Sequence, residues 1–271
     1  MHEIILKGRF RTLLFSLIAF FIAEDAALSQ VNTEKLRKHY KQRGFIFNMD
    51  FRFGLSEGNS EYVSADGTFR VDYNGEKNDI FIITSYDYKE TKDGKAVNKG
   101  FVHLRDIYAF SEGIAAEAFV QQEFNEFLLL SDRKLLGGEG RFRIMDFQSV
   151  KDSVAELQTY LGAGAMYEYE AYDTGEVNKG RLVKEPLRLT SYLTVDWVLS
   201  ERVNLWAVGY YQPAAADFSD FRIVAETGME VNIIGKLFFT ADVGYRFNSD
   251  PVGNVENYDL VIKNGIRLSF P

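Results

Sequence analysis

From Phe45 onward, apolar and polar residues alternate with a period of two. Phe45, Phe47, Met49, Phe51, Phe53 and Leu55 take one set of positions, and Ile46, Asn48, Asp50, Arg52, Gly54 and Ser56 fall between them. In a strand the two sets point to opposite faces. The rhythm returns over 63–73, 157–169, 187–197, 203–211, 221–231, 237–247 and 258–270. It predicts about twelve strands, at roughly 44–56, 61–74, 79–89, 99–110, 113–125, 132–146, 155–171, 186–198, 202–212, 219–232, 236–248 and 257–270. The third and sixth alternate least cleanly. Residues 31–41 read as a short polar helix or lead-in. No linker or composition break divides the alternating region, so one domain is the simpler reading.

The first thirty residues follow another pattern. Lys7, Arg9 and Arg11 precede an apolar run over 12–23. That run is shorter than the roughly 20 residues a helix needs to span a bilayer. It fits the core of a secretory signal peptide, and Ala27 and Ser29 have the spacing for cleavage after Ser29. An anchor helix or a buried core helix is the alternative. The expected organisation is a signal peptide at 1–29, a periplasmic lead-in at 30–43 and a β-barrel at 44–271.

Alternation alone does not say which face meets what. A soluble, lipocalin-like barrel turns its apolar face inward; an outer-membrane barrel turns it outward. The long runs favour the membrane, because a tilted strand needs about 9–11 residues to cross. The apolar face is nearly free of charge, with Asp106 as its one break. The opposite face carries Asp50, Arg52, Arg70, Asp72, Glu117, Glu139, Arg141, Arg143, Glu168, Arg188, Asp196, Arg222, Glu226, Asp242, Arg246, Lys263 and Arg267. Aromatics gather at strand ends: Tyr86 and Tyr88, Tyr108 and Phe110, Tyr167 and Tyr169, Tyr211, Tyr245 and Phe247. Such positions suit interfacial girdles, although β-propensity alone also enriches strands in Tyr and Phe. The predicted connections mostly alternate short and long, with 90–98 and 172–185 among the long ones. The expected fold is all-β, a closed antiparallel transmembrane β-barrel of about twelve strands in an up-and-down meander. Its expected setting is the outer membrane of a Gram-negative cell.

Composition narrows the function. The chain has 271 residues, no cysteine, 46% hydrophobic and 15% aromatic residues, and a formal net charge of −8. Missing cysteines exclude disulfide scaffolds, thiolate metal sites and Cys nucleophiles. The acidic balance argues against nucleic acid as a partner. The expected partners are outer-membrane lipid and, during biogenesis, the barrel-assembly machinery.

Several short motifs resemble one family. They are Gly58-Asn59-Ser60, Asn98 with Leu104-Arg105-Asp106, Asp132-Arg133, the glycine-rich Gly137-Gly138-Glu139-Gly140-Arg141-Phe142-Arg143, and the closing Asp259 and Gly265. With the terminal alternation up to Phe270, the chain from about 44 to 270 resembles the salt-induced outer-membrane proteins grouped as domain of unknown function 481. Pro271 after Phe270 departs from the terminal aromatic typical of such barrels. The resemblance implies an outer-membrane barrel with a role in salt or osmotic stress. It implies no catalytic residues.

The residues themselves offer little chemistry. Of three histidines, only His103 falls on a strand, on its polar face. It could face Ser85, Asp87 or Glu117, but a hydrolase needs a fuller set. Acids at Asp217 and Asp220, and at Asp173 and Glu176, lack a complete metal-ligand spacing. The Gly137–Gly140 run has no helix after it and is no phosphate loop; it suits a bend, or a large residue lying across the strand. Asn74-Gly75 and Asp93-Gly94 signal turns, and Asp66-Gly67 suggests a bulge. The reading is a non-enzyme with no catalytic, cofactor-binding or metal residues. Its polar interior admits two states. Either ion pairs plug it, with Arg141 and Arg143 reaching Glu117 or Glu168, or a gap passes small solutes.

Overall fold

The computed structural model describes residues 43–58, 61–148, 155–174 and 181–268. The expected signal peptide, the 31–41 lead-in, Asn59-Ser60 and the terminal Phe270-Pro271 lie outside the described residues. Among the described residues thirteen strands form one antiparallel sheet: β1 (Gly44–Ser56), β2 (Tyr62–Asn74), β3 (Asn78–Thr91), β4 (Gly94–Ser111), β5 (Ile114–Asn125), β6 (Leu130–Gln148), β7 (Glu156–Asp173), β8 (Arg181–Lys184), β9 (Leu187–Ser200), β10 (Val203–Pro213), β11 (Phe221–Ile234), β12 (Leu237–Asn248) and β13 (Tyr258–Leu268). Each long strand pairs with the next, a meander; only the short β8 sits off the path, on the end of β7. Among the described residues the helical structure is a single 3-10 turn, Glu126–Leu128, and no helix is long and apolar enough to cross a membrane.

The twelve expected strands correspond to the twelve on the path. Three local expectations change. The segment 90–98 is not a loop, because β3 and β4 continue through it to a two-residue turn at Lys92-Asp93, closed by Gly94 at φ +117°. The wide segment 172–185 contains β8. No bulge occurs at Asp66-Gly67, where both registers run through unshifted. The glycine there makes room for the Phe51 ring, which a Cβ would strike.

The registers put every second residue on a common face. The sheet curls with the charged face concave, because residues three strands apart meet there. Tyr192 on β9 donates to Glu117 on β5 at 3.5 Å, and Arg222 on β11 reaches Glu170 on β7 at 2.7 Å. Flat strands about 4.8 Å apart would hold these backbones some 14 Å from each other. The convex face is the apolar one: Leu104, Val120, Leu136, Leu189 and Leu193 are exposed there. Among the described residues, β1 and β13 are the two edges of the sheet and do not pair with each other.

Inward apolar residues explain why β3 alternates poorly in sequence. Phe81 and Ile83 face inward and pack with Ile107. The glycine run of β6 works as expected, since the Phe119 ring and Met166 lie against Gly137.

Candidate functional site: the charged concave face

The concave face is built from the polar half of the alternation. Near the end that carries β8, Arg133 on β6 donates to Glu123 on β5 at 2.5 Å and to Glu168 on β7 at 2.5 Å. Arg188 on β9 donates to the other oxygen of Glu168 at 2.5 Å, and to Asp220 at 3.0 Å. Arg222 on β11 donates to Glu168 at 2.5 Å and to both oxygens of Glu170. Glu168 thus holds three guanidinium groups from three strands. All of these side chains except Asp220 are buried. Buried charges persist only when paired in this way.

A second cluster lies towards the other end. Arg105 on β4 donates to Glu117 at 2.6 Å and approaches Glu139 at 3.2 Å. Its guanidinium sits 5.0 Å from the Phe119 ring. Arg141 lies 3.9 Å from the Tyr160 ring. Tyr192 crosses this region, close against Gly162, where a Cβ would strike its ring. Arg70 and Asp72 pair on β2, and Arg246 donates to Glu226 at 2.6 Å.

A loop closes over the first cluster. Residues 249–257, between β12 and β13, fold back so that Val252 packs against Leu130 and Tyr172. Lys184 on β8 anchors the loop through the Asp250 carboxylate at 2.7 Å. Beneath it a void of about 40 Å³ touches Arg133, Glu170, Arg222 and Arg246, room for a water molecule. Beside the loop, the β5–β6 turn is tied down by Glu126. Hydrogen bonds from Asn98 and Lys95 hold its carboxyl below the usual carboxylate range.

The concave face is quite different at the sheet edges. On β1 the side chains of Asp50 and Arg52 are 69% and 74% exposed. Arg52 donates to Asp66 at 2.6 Å in the open. Lys263 on β13 is also exposed.

On the convex face, aromatic side chains form two bands. Near the β8 end Tyr211 meets Phe221 at a tilt, with centroids 5.8 Å apart, and Phe221 stacks on Phe247 at 5.5 Å. Tyr108 meets Phe110 at 5.0 Å, and Phe45 meets Tyr73 at 5.0 Å, near the other end.

The model of the family described as "Protein of unknown function, DUF481" matches residues 50–270. The chain belongs to the DUF481 family. No curated protein matches it. A solved structure described as "NanC porin structure in rhombohedral crystal form" is similar at a TM-score of 0.44 and 9% identity, over 82% of this chain and 100% of that one.

Several residues of this DUF481 chain sit where the sequence placed them. Asp106 is exposed on the convex face, with Asn78 donating to it at 3.2 Å, and Lys134 with Asp132 on β6 adds a second charged spot there. His103 is buried between the Phe81 and Phe119 rings, and its Nδ1 lies 3.0 Å from Gln121 Oε1. Its cross-strand partners are Ile83 and Gln121, not Ser85, Asp87 or Glu117. Asp217 caps its own turn, and bonds from the Ser219 side chain and backbone hold its carboxyl low. Among the described residues no group of acids and histidines has metal-ligand geometry.

The pairing brings in further cations, and Arg143 is the one of the expected pair that turns elsewhere. Arg105 and Arg133, quoted only as motif residues, hold Glu117 and Glu168. Arg143 pairs instead with Asp146 at 2.8 Å. The signal was present, since both arginines occupy inward positions of alternating strands. What the sequence lacked was the curl that brings distant strands together.

Proposed function

We propose that this chain is an outer-membrane β-barrel, closed by pairing of β1 with β13, whose restricted interior passes only small solutes. One observation carries the reading: apolar side chains stand exposed on the convex face while arginines and glutamates are buried on the concave one. In water that arrangement is inverted, because exposed apolar area costs about 25 cal/mol per Å². In a bilayer it is the stable one. The two aromatic bands support it, as they match girdles at two membrane interfaces. Closure gives the edge strands their missing hydrogen bonds, which lipid cannot supply.

The packed arginine–glutamate clusters favour a restricted interior over a wide pore. Lipid is then the partner of the convex face. An envelope role under salt or osmotic stress is the proposed physiological setting, supported by the resemblance in its motifs. A deletion strain growing normally across osmolarities would remove that setting.

The test is fractionation after expression in a Gram-negative host, with gel mobility compared before and after boiling. The proposal expects outer-membrane recovery and a band that shifts on heating. Recovery as a soluble protein without detergent would favour the lipocalin-like alternative.

A further inference from the structure

We propose that residues 249–257 form a strap that narrows the outer mouth of this barrel when its tip is docked and opens it when the tip lets go. The inference rests on the closed-barrel reading above and adds a regulation to its passage. The mouth concerned is at the β8 end. The connections 214–220 and 249–257 and the wide one holding β8 lie there, whereas 112–113, 201–202 and 235–236 at the other end are two-residue turns. Longer connections mark the outer side of such barrels. The strap crosses this mouth and does not merely line it. Its root joins β12 to β13, next to the seam where β13 meets β1. Its tip touches β6, β7 and β8: Val252 packs against Leu130 and Tyr172, and Asp250 meets Lys184. Along the sheet β6 lies five strands from β12. Laid flat, that separation is about 24 Å. In a ring of the twelve strands on the path, five steps lead almost to the opposite wall. A loop laid over that span narrows the mouth whichever part of the interior a solute uses.

Root and tip are held unequally. At the root the Asn248 amide donates to the Asn257 carbonyl at 2.8 Å, and the Ser249 amide donates to the Phe221 carbonyl at 3.0 Å. The Phe221 amide returns a bond to Ser249 Oγ at 2.7 Å. These bonds tie the root to strand ends, so the root is the hinge. The tip is held by one apolar side chain, Val252, and by the Lys184 ammonium, which donates to the Asp250 carboxylate at 2.7 Å and to its carbonyl at 3.1 Å. The Asp250 side chain is 61% exposed, and an ion pair so open to water holds weakly. The buried arginine–glutamate bonds below it are costly to break. Between these two layers lies the water-sized void, so the tip can leave while the clusters stay. The seat of the tip is shaped for a glycine. Leu129 ends the 3-10 turn in the left-handed region, at φ 57°, and its Cδ1 would lie 3.2 Å from a Cβ on Gly253. Gly253 is itself left-handed, at φ +68°. Beside the tip an open cleft of about 910 Å³, lined in part by Phe127, Leu182 and Asn254, leaves it room to withdraw.

The chain has no cysteine, so two thiols can be placed alone. The full chain carrying Lys184→Cys and Asp250→Cys is joined by a short, reducible thiol-to-thiol linker and recorded in planar bilayers before and after reduction. The expected record is a several-fold lower conductance with the tip tied down, restored when the linker is reduced. Gly253→Ala, untied, should conduct more than the natural chain, because a methyl group there strains the backbone and presses on Leu129. Equal conductance in the tied, reduced and Gly253→Ala forms overturns the strap and leaves the channel standing. A linker that fails to join the two thiols, in protein whose band still shifts on heating, overturns the docked tip. Silence in every form, again with a band that shifts, overturns the passage of solutes and the strap's role together, and leaves the barrel. A band that does not shift on heating overturns the barrel itself.

Discussion

On β6 and β7 the inward charges are dry and mutually bonded; on β1 the same residue types, on the same face, stand in the open. Glu168 binds three arginines at no measurable exposure, whereas Arg52 holds Asp66 with its side chain 74% exposed. The chemistry of each pair is alike. Their worth differs, because removing one partner from a dry pair strands a charge in a low dielectric, and removing one from a wet pair does not. The packed side therefore acts as the rigid wall of the protein. The edge side lacks such bonds and is the freer of the two.

That contrast can be broken in four ways. Glu168→Ala leaves three guanidinium groups without their shared anion and should cost about 3–5 kcal/mol, read as a lower urea midpoint in lipid vesicles. Gly162→Ala drives a methyl group into the Tyr192 ring and should cost about 1–3 kcal/mol in the same experiment. Arg52→Ala at the seam should change stability by less than about 1 kcal/mol. If Arg52→Ala cost as much as Glu168→Ala, the two sides would not differ as described. The smallest effect concerns Glu126. Its carboxyl titrates below its unfolded value, so the clamp on Lys95 and Asn98 is intact above that unfolded value and weakens as pH falls through the folded one. Hydrogen exchange at the 126–129 turn should quicken over that acidic range, and Glu126→Gln should abolish the pH dependence.

Much of the fold was legible because period-two alternation is a direct consequence of strand geometry. β1, β9 and β12 match their expected ranges to within two residues. β3 was harder to read, since Phe81 and Ile83 point inward and blur the pattern. β8 was missed: four residues are too few to show a period. The turn at Lys92-Asp93 was read too wide, because the polar residues flanking it hid the continuing β3–β4 ladder. The face bearing the charges was legible residue by residue. The three-arginine seat of Glu168 was not, as it depends on how tightly twelve strands curl, and no local pattern encodes that.

The central claim is that the exposed apolar face meets lipid and the buried charged face does not. The direct measurement is a single-cysteine scan of β9 in lipid vesicles, with a fluorophore at each position quenched by lipid-soluble or water-soluble agents. Leu189, Leu193 and Trp197 should report lipid, and Thr190, Tyr192 and Thr194 should be shielded from it, in strict alternation. Water-soluble quenching at Leu189, Leu193 and Trp197, with no alternation in the lipid signal, would contradict the account.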